Sequence, residues 1–123
     1  MSRIVKRSHI AAETDPHGLT ANDPGAKLDA GKVRPSLILN AMPLAILAVS
    51  EVGTYGASKY SENGWKDVDN GIARYTDAMD RHRIKEGLEV FDEDSNLRHA
   101  AQVAWNALAR LELMLCNCES HTI

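Results

Sequence analysis

Apolar residues recur along this chain at helical rather than strand spacing. Leu44, Leu47, Ala48, Val52 and Tyr55 follow the interval that places side chains on one face of an α-helix. Asn40 can cap this first predicted helix, whose opening turn tolerates Pro43, and the pattern runs to about Lys59. A polar loop with Tyr60, Asn63, Gly64 and Trp65 leads to a second periodic segment, Ile72, Tyr75, Met79 and His82, which continues toward Leu88. A third helix, capped by Asp94 or Ser95, is predicted to run to about Leu115, with Leu97, Ala101, Ala104, Leu108 and Leu111 on a broad apolar face. No segment shows the alternation that a half-buried strand requires. The expectation is therefore all-α, a small helical bundle of about three to five helices. The width of the third apolar face calls for burial on more than one side, and a homo-oligomer would supply it.

Pro16, Gly18, Pro24, Gly25, Gly31 and Pro35 interrupt the pattern in the first part of the chain and favour an irregular arm. The predicted organisation is a polar arm over 1–26, one helical domain over 27–118 and a short tail over 119–123. At 123 residues the chain can bury a core without disulfides or a structural metal. A net charge of −3 argues against a duplex-DNA partner, which requires a basic stripe. The longest apolar stretch, Leu37 to Val49, is interrupted by Asn40 and Pro43, so neither a signal peptide nor a membrane span is expected. Cys116 and Cys118 form a lone C-x-C that cannot complete a four-ligand zinc site, although His121 beside it makes a metal site shared between subunits conceivable. Reduced thiols fit a cytoplasmic protein.

Between Arg81 and His99 the chain reads RHRIKEGLEVFDEDSNLRH, with two histidines, three arginines and five carboxylates. If helical spacing holds through Gly87, then His82, Glu86 and Glu89 stack on one face and Asp92 follows Glu89. Convergent carboxylates repel unless a cation sits among them, and hard oxygen ligands suit Mg²⁺ or Mn²⁺ rather than zinc. The same acids also fit a plain solvated helix end. On the third helix His99, Gln102, Asn106 and Arg110 form a polar stripe, which is either the wet face of a surface helix or a face turned to the acids. A short hairpin between the second and third helices would bring His99 back near Glu89 and Asp92.

Two cationic loops add candidate chemistry. In KLDAGKVRPS, Lys32 and Arg34 beside Gly31 can fold over phosphates, with Lys27 close by. In YGASKYSENGW, Lys59 can hold a phosphate while Asn63 and Trp65 contact a nucleoside, although Trp65 would equally plug the bundle end. There is no P-loop, no dinucleotide fingerprint and no nucleophile elbow.

In order, KLDAGKVRPSLIL, YGASKYSENGW, RYTDAMDRHRIKEGLEVFDEDSNLRH and AWNALARLEL resemble the phage dATP/dGTP pyrophosphohydrolases of the MazZ type, relatives of the MazG-like all-α nucleoside triphosphate pyrophosphatases. The resemblance implies a MazG-like bundle assembled as a dimer or tetramer. It implies two or more Mg²⁺ or Mn²⁺ ions on a purine deoxynucleoside triphosphate, and cleavage to monophosphate and pyrophosphate. Glu89 and Asp92 match the family's E-x-x-D ligand pair, and Arg81, His82, Ser95 and His99 match its R-H and S-G-x-x-H elements. Arg81, His82 and His99 are thus the catalytic candidates. Glu51, Glu86, Glu89 and Asp92 are the candidate metal ligands, Glu51 being the acid available on the first helix for the family's earlier pair. Leu88 and Asn96 stand where the family usually has glycine, and Gln102 where a second histidine is frequent. The family context is the host cytoplasm, where dGMP would feed 2-aminoadenine synthesis. The opposing expectation is a non-enzymatic helical interaction module of a phage, with His82 and His99 packed in its core.

Overall fold

The computed structural model describes residues 13–122, with side chains as far as Asn117. Its helices are α1, Ser36–Leu39; α2, Pro43–Lys59; α3, Gly71–Lys85; and α4, His99–Thr122, with a 3-10 turn at Gly64–Asp67. The all-α bundle expected from the periodicity is what forms. Among the described residues the sole β feature is a single antiparallel bridge between Phe91 and Arg98.

Helix ends differ from the sequence expectation, for local reasons. Pro43 takes the first turn of α2 and drives Met42 to φ −130° and ψ 54°, outside the helical region, so Asn40 closes α1 instead of opening α2. Helix α3 stops at Lys85, short of Leu88, because residues 86–88 tighten into a turn in which the Leu88 N–H donates to the Lys85 carbonyl at 2.8 Å. Helix α4 starts at His99 because Asn96 sits at φ 59°, a left-handed conformation that no α-helix continues through. Ser95 instead accepts the Leu97 N–H, at 3.2 Å. At its other end α4 passes the expected stop at Leu115 and reaches Thr122, since no glycine or proline intervenes.

Helix α4 is the spine. Helix α3 lies antiparallel along it, as the pairs His82 with His99, Thr76 with Arg110 and Gly71 with Leu113 require. Gly71 permits this approach, because a Cβ there would lie 2.8 Å from Leu113 Cδ1. Helix α2 meets α4 through Gly53, where an added Cβ would stand 3.3 Å from the Trp105 indole nitrogen. Trp65, Tyr75 and Trp105 pack edge to face with centroids 5.7 to 6.2 Å apart, and the Tyr75 hydroxyl donates to the Trp65 carbonyl at 2.8 Å. Ala101 and Ala109 are buried in α4, whereas α2 buries no residue at all.

Ahead of α1 the chain is irregular, as expected, but organised. The buried Asp15 carboxylate accepts the N–H groups of His17 and Lys27, each at 2.7 Å, and that of Leu19 at 3.4 Å. These bonds hold its pKa below the ordinary carboxylate value, the Lys27 N–H contributing most. Among the described residues no helix is long and apolar enough to cross a membrane.

Candidate active site in the α3–α4 seam

Antiparallel packing sets the end of α3 beside the start of α4, and residues 86–98 close the gap. Within that connection the Asp92 N–H donates to the Leu97 carbonyl at 2.8 Å, the Asn96 N–H to the Asp92 carbonyl at 2.7 Å and the His99 N–H to the Val90 carbonyl at 3.0 Å. Arg98 lies over the Phe91 ring, 5.2 Å from its centroid. The predicted hairpin therefore exists, and it returns His99 to the acids.

His99 is the one fully buried large side chain among the described residues. Its Nε2 is 2.9 Å from Glu89 Oε1, and its Nδ1 is 2.9 Å from His82 Nδ1. With both rings neutral, the network assigns the protons. A carboxylate only accepts, so His99 Nε2 carries the hydrogen shared with Glu89, His82 Nδ1–H donates to His99 Nδ1, and His82 Nε2 keeps an open lone pair. Burial holds the His82 pKa below its ordinary value; Asp92 opposes this, while His99, Lys85 and Arg81 reinforce it. Burial also works to raise the Asp92 pKa. Hydrogen bonds from the Asp94 N–H and the Gln102 amide, with the imidazoles nearby, outweigh that effect and hold it below the usual carboxylate value.

His82, Asp92 and His99 each offer a ligand atom, and these atoms lie within 4.8 Å of one another. The separation of the two imidazole nitrogens is close to the roughly 3 Å between neighbouring donors around an ion with bonds of about 2.1 Å. The donor set thus fits a divalent metal. Two imidazoles and a carboxylate suit Mn²⁺ and its first-row neighbours better than Mg²⁺, which favours oxygen donors. This differs from the all-carboxylate centre read from spacing. Of Glu51, Glu86, Glu89 and Asp92, the structure brings only Asp92 into the group. Glu89 reaches the far nitrogen of His99, Glu86 caps the exposed end of α3, and Glu51 is exposed on α2. The helix ends at Lys85, yet the Glu86 N–H still donates to the His82 carbonyl and the Glu89 N–H to the Lys85 carbonyl, each at 2.9 Å. Arg81 is exposed next to His82.

The polar stripe of α4 turns inward and is not a wet face. Asn106 is buried and donates to the Gln102 carbonyl at 2.8 Å, and Arg110 Nε donates to Thr76 Oγ1 at 2.8 Å. Spacing alone exposes this stripe as anomalous but does not reveal Thr76 as a partner, which depends on helix register.

The cationic candidates are dispersed. Lys32 pairs with Glu13 at 2.7 Å, and Arg34 is exposed near the start of α1. Lys59, at the end of α2, has its pKa raised by the Tyr60 hydroxyl first, then by Tyr55, with a smaller contribution from Asp94. Asn63 and Trp65 line an open groove of about 470 Å³ with Lys66, Trp105, Leu108 and Glu112. Trp105 and Glu112 lie about 9 and 20 Å along α4 from His99, so within one chain this groove and the His–Asp group occupy different stretches of the helix. Cys116 Sγ contacts Glu112 Oε2 at 3.5 Å, and the side chains of Cys118 and His121 lie outside the described residues.

A helical domain that gathers two imidazoles and a carboxylate into a metal-capable seam has a donor set that hydrolases acting on anionic substrates can use. The chain belongs to the family of dATP/dGTP diphosphohydrolase N-terminal domains, whose family model matches residues 22–122. No curated protein and no solved structure matches it.

Proposed function

We propose that this protein hydrolyses purine deoxynucleoside triphosphates, dGTP and dATP, to the monophosphate and pyrophosphate, as a MazZ-type, MazG-like enzyme dependent on Mn²⁺ or Mg²⁺. The observation that carries this reading is that the metal-capable group of His82, Asp92 and His99 falls inside the segment matched by the diphosphohydrolase family. A divalent cation bound there would polarise phosphate oxygens and make an attacking water more acidic. The chain supplies the rest. Burial favours the neutral His82 ring, which with His99 would offer Nδ1 to the ion, and the Glu89–His99 contact holds the ring pair in place. Lys59 and Arg81 are available to the phosphates, with Lys32 and Arg34 on the preceding loop. Glu86, Glu89 and Glu51 are the acids available to any further ion.

Asn63 and Trp65 would contact the nucleoside. Since their groove lies along α4 from the His–Asp group, a homo-oligomer in which one copy presents its groove to the seam of another accommodates both assignments. The exposed apolar face of Leu37, Ile38, Leu39, Met42, Leu44 and Leu47 supports such association. The natural setting would be a phage-infected cytoplasm, with dGMP supplied for 2-aminoadenine synthesis.

Incubation of purified protein with dGTP or dATP and Mn²⁺, followed by ion-exchange chromatography, should yield monophosphate and pyrophosphate in equal amounts. Tripolyphosphate or sequential single phosphates would overturn the reaction class. Absence of both turnover and Mn²⁺ binding would favour the helical interaction module.

A further inference from the structure

We infer that Gln102 is a positioning residue, whose side-chain amide sets the direction of the Asp92 carboxylate toward His82 and His99. This rests on the reading that those three side chains hold a divalent cation. Asp92 belongs to the hairpin, and its Oδ1 is bound by the Asp94 N–H at 3.0 Å, a contact inside the same loop. That bond cannot register the carboxylate against the helices. Gln102 can, because it follows His99 by three residues on α4 and its Nε2 donates to Asp92 Oδ2 at 3.2 Å. The same amide nitrogen meets Ser95 Oγ at 3.2 Å and the Leu97 carbonyl at 3.5 Å, so it joins the helix that carries His99 to both sides of the turn that carries Asp92.

The residue type matters as much as the position. An amide donates to a carboxylate without neutralising it, so Asp92 stays an anionic ligand, whereas lysine or arginine there would compete with the cation. Gln102 is half-buried and bonds no other charged group, so the Asp92 contact is its charge-assisted bond.

The test is a Mn²⁺ titration of the full chain, read from the electron paramagnetic resonance signal of the free ion, with thermal melting in parallel. Gln102→Met keeps the length and removes the donors; Gln102→Asn keeps the amide but is one methylene too short to reach Asp92. Both should weaken Mn²⁺ binding about tenfold or more, while Ser95→Ala, which removes the hydroxyl that Leu97 and Gln102 bond but leaves the Gln102–Asp92 bond, should stay within about threefold. Wild-type affinity in either folded Gln102 variant would overturn the inference, as would a Ser95→Ala loss equal to that of Gln102→Met, which would make Gln102 a mere hairpin staple. A wild-type protein that binds no Mn²⁺ would instead remove the metal-site reading itself, and the inference with it.

Discussion

Along the α3–α4 seam polar side chains are buried, while across α1 and α2 large apolar ones lie open. His99 is 0% exposed, whereas Leu44 is 83% exposed. An ordinary monomer would reverse this pattern, because burying an unpaired polar group costs free energy and exposing a leucine forgoes it. In the seam the cost is offset by complete pairing: no buried side-chain nitrogen or oxygen among the described residues lacks a hydrogen-bond partner. On α2 nothing offsets the exposure within one chain, and a second copy of the chain is the proposed cover. The contrast teaches that this small domain buries its polar chemistry and leaves large apolar side chains on its surface.

The largest effect should come from the seam's ligands. Asp92→Asn and His82→Ala should each weaken Mn²⁺ binding about 100-fold or more, measured calorimetrically. Glu51→Gln should leave it within a few-fold, and an equal loss there would move the metal site away from the seam.

His99→Ala should destabilise the fold by about 2–4 kcal/mol in urea titration, since it opens a cavity and strips partners from His82 and Glu89. Gly71→Ala should cost about 1–3 kcal/mol, because its new Cβ collides with Leu113 where α3 meets α4. If Leu44→Ala cost as much as either in the monomer, the two regions would not differ as described. The apolar face has its own test: Leu44→Glu with Leu47→Glu should shift the protein from oligomer to monomer in light scattering coupled to size exclusion. Unchanged mass would refute association through α2.

The smallest expected effect is pH dependence of the metal-free protein. The His82 pKa is lowered in the fold, so the native state favours neutral imidazole and the unfolded state binds more protons as pH falls. Stability from this group is complete above about pH 6.5 and is lost below it. Asp92, also lowered, acts in the same direction at more acidic pH. The melting temperature should therefore fall between about pH 7 and 5, and fall less in His82→Asn; a rise would show that His82 is stabilised as the cation.

Much of this architecture was legible in the residues themselves. Helical periodicity announces α2, α3 and α4, and the cluster from Arg81 to His99 marks the right corner of the fold. Asn96, which stands where the family usually has glycine, takes a left-handed turn at φ 59°, as asparagine tolerates. These are local properties: side-chain spacing and backbone preference act over a few residues and need no tertiary partner.

What only the tertiary structure decided is which side chains meet. Successive helical residues are turned by about 100°, so the place where α3 gives way to the turn over 86–88 bears on where the acids beyond it point. Glu89 then reaches the outer nitrogen of His99, Glu86 stays at the helix end, and Asp92 joins two histidines that spacing alone had set among carboxylates. Gln102, unremarkable as one polar residue on a mixed helix, gains its place only when the hairpin brings Asp92 within 3.2 Å. Trp65, equally suited by sequence to a nucleobase or a bundle plug, lies against Tyr75 and Trp105 because antiparallel α3 and α4 bring those rings together. Local preference chooses the elements, while helix ends and rotation, fixed by packing across the whole domain, choose the contacts.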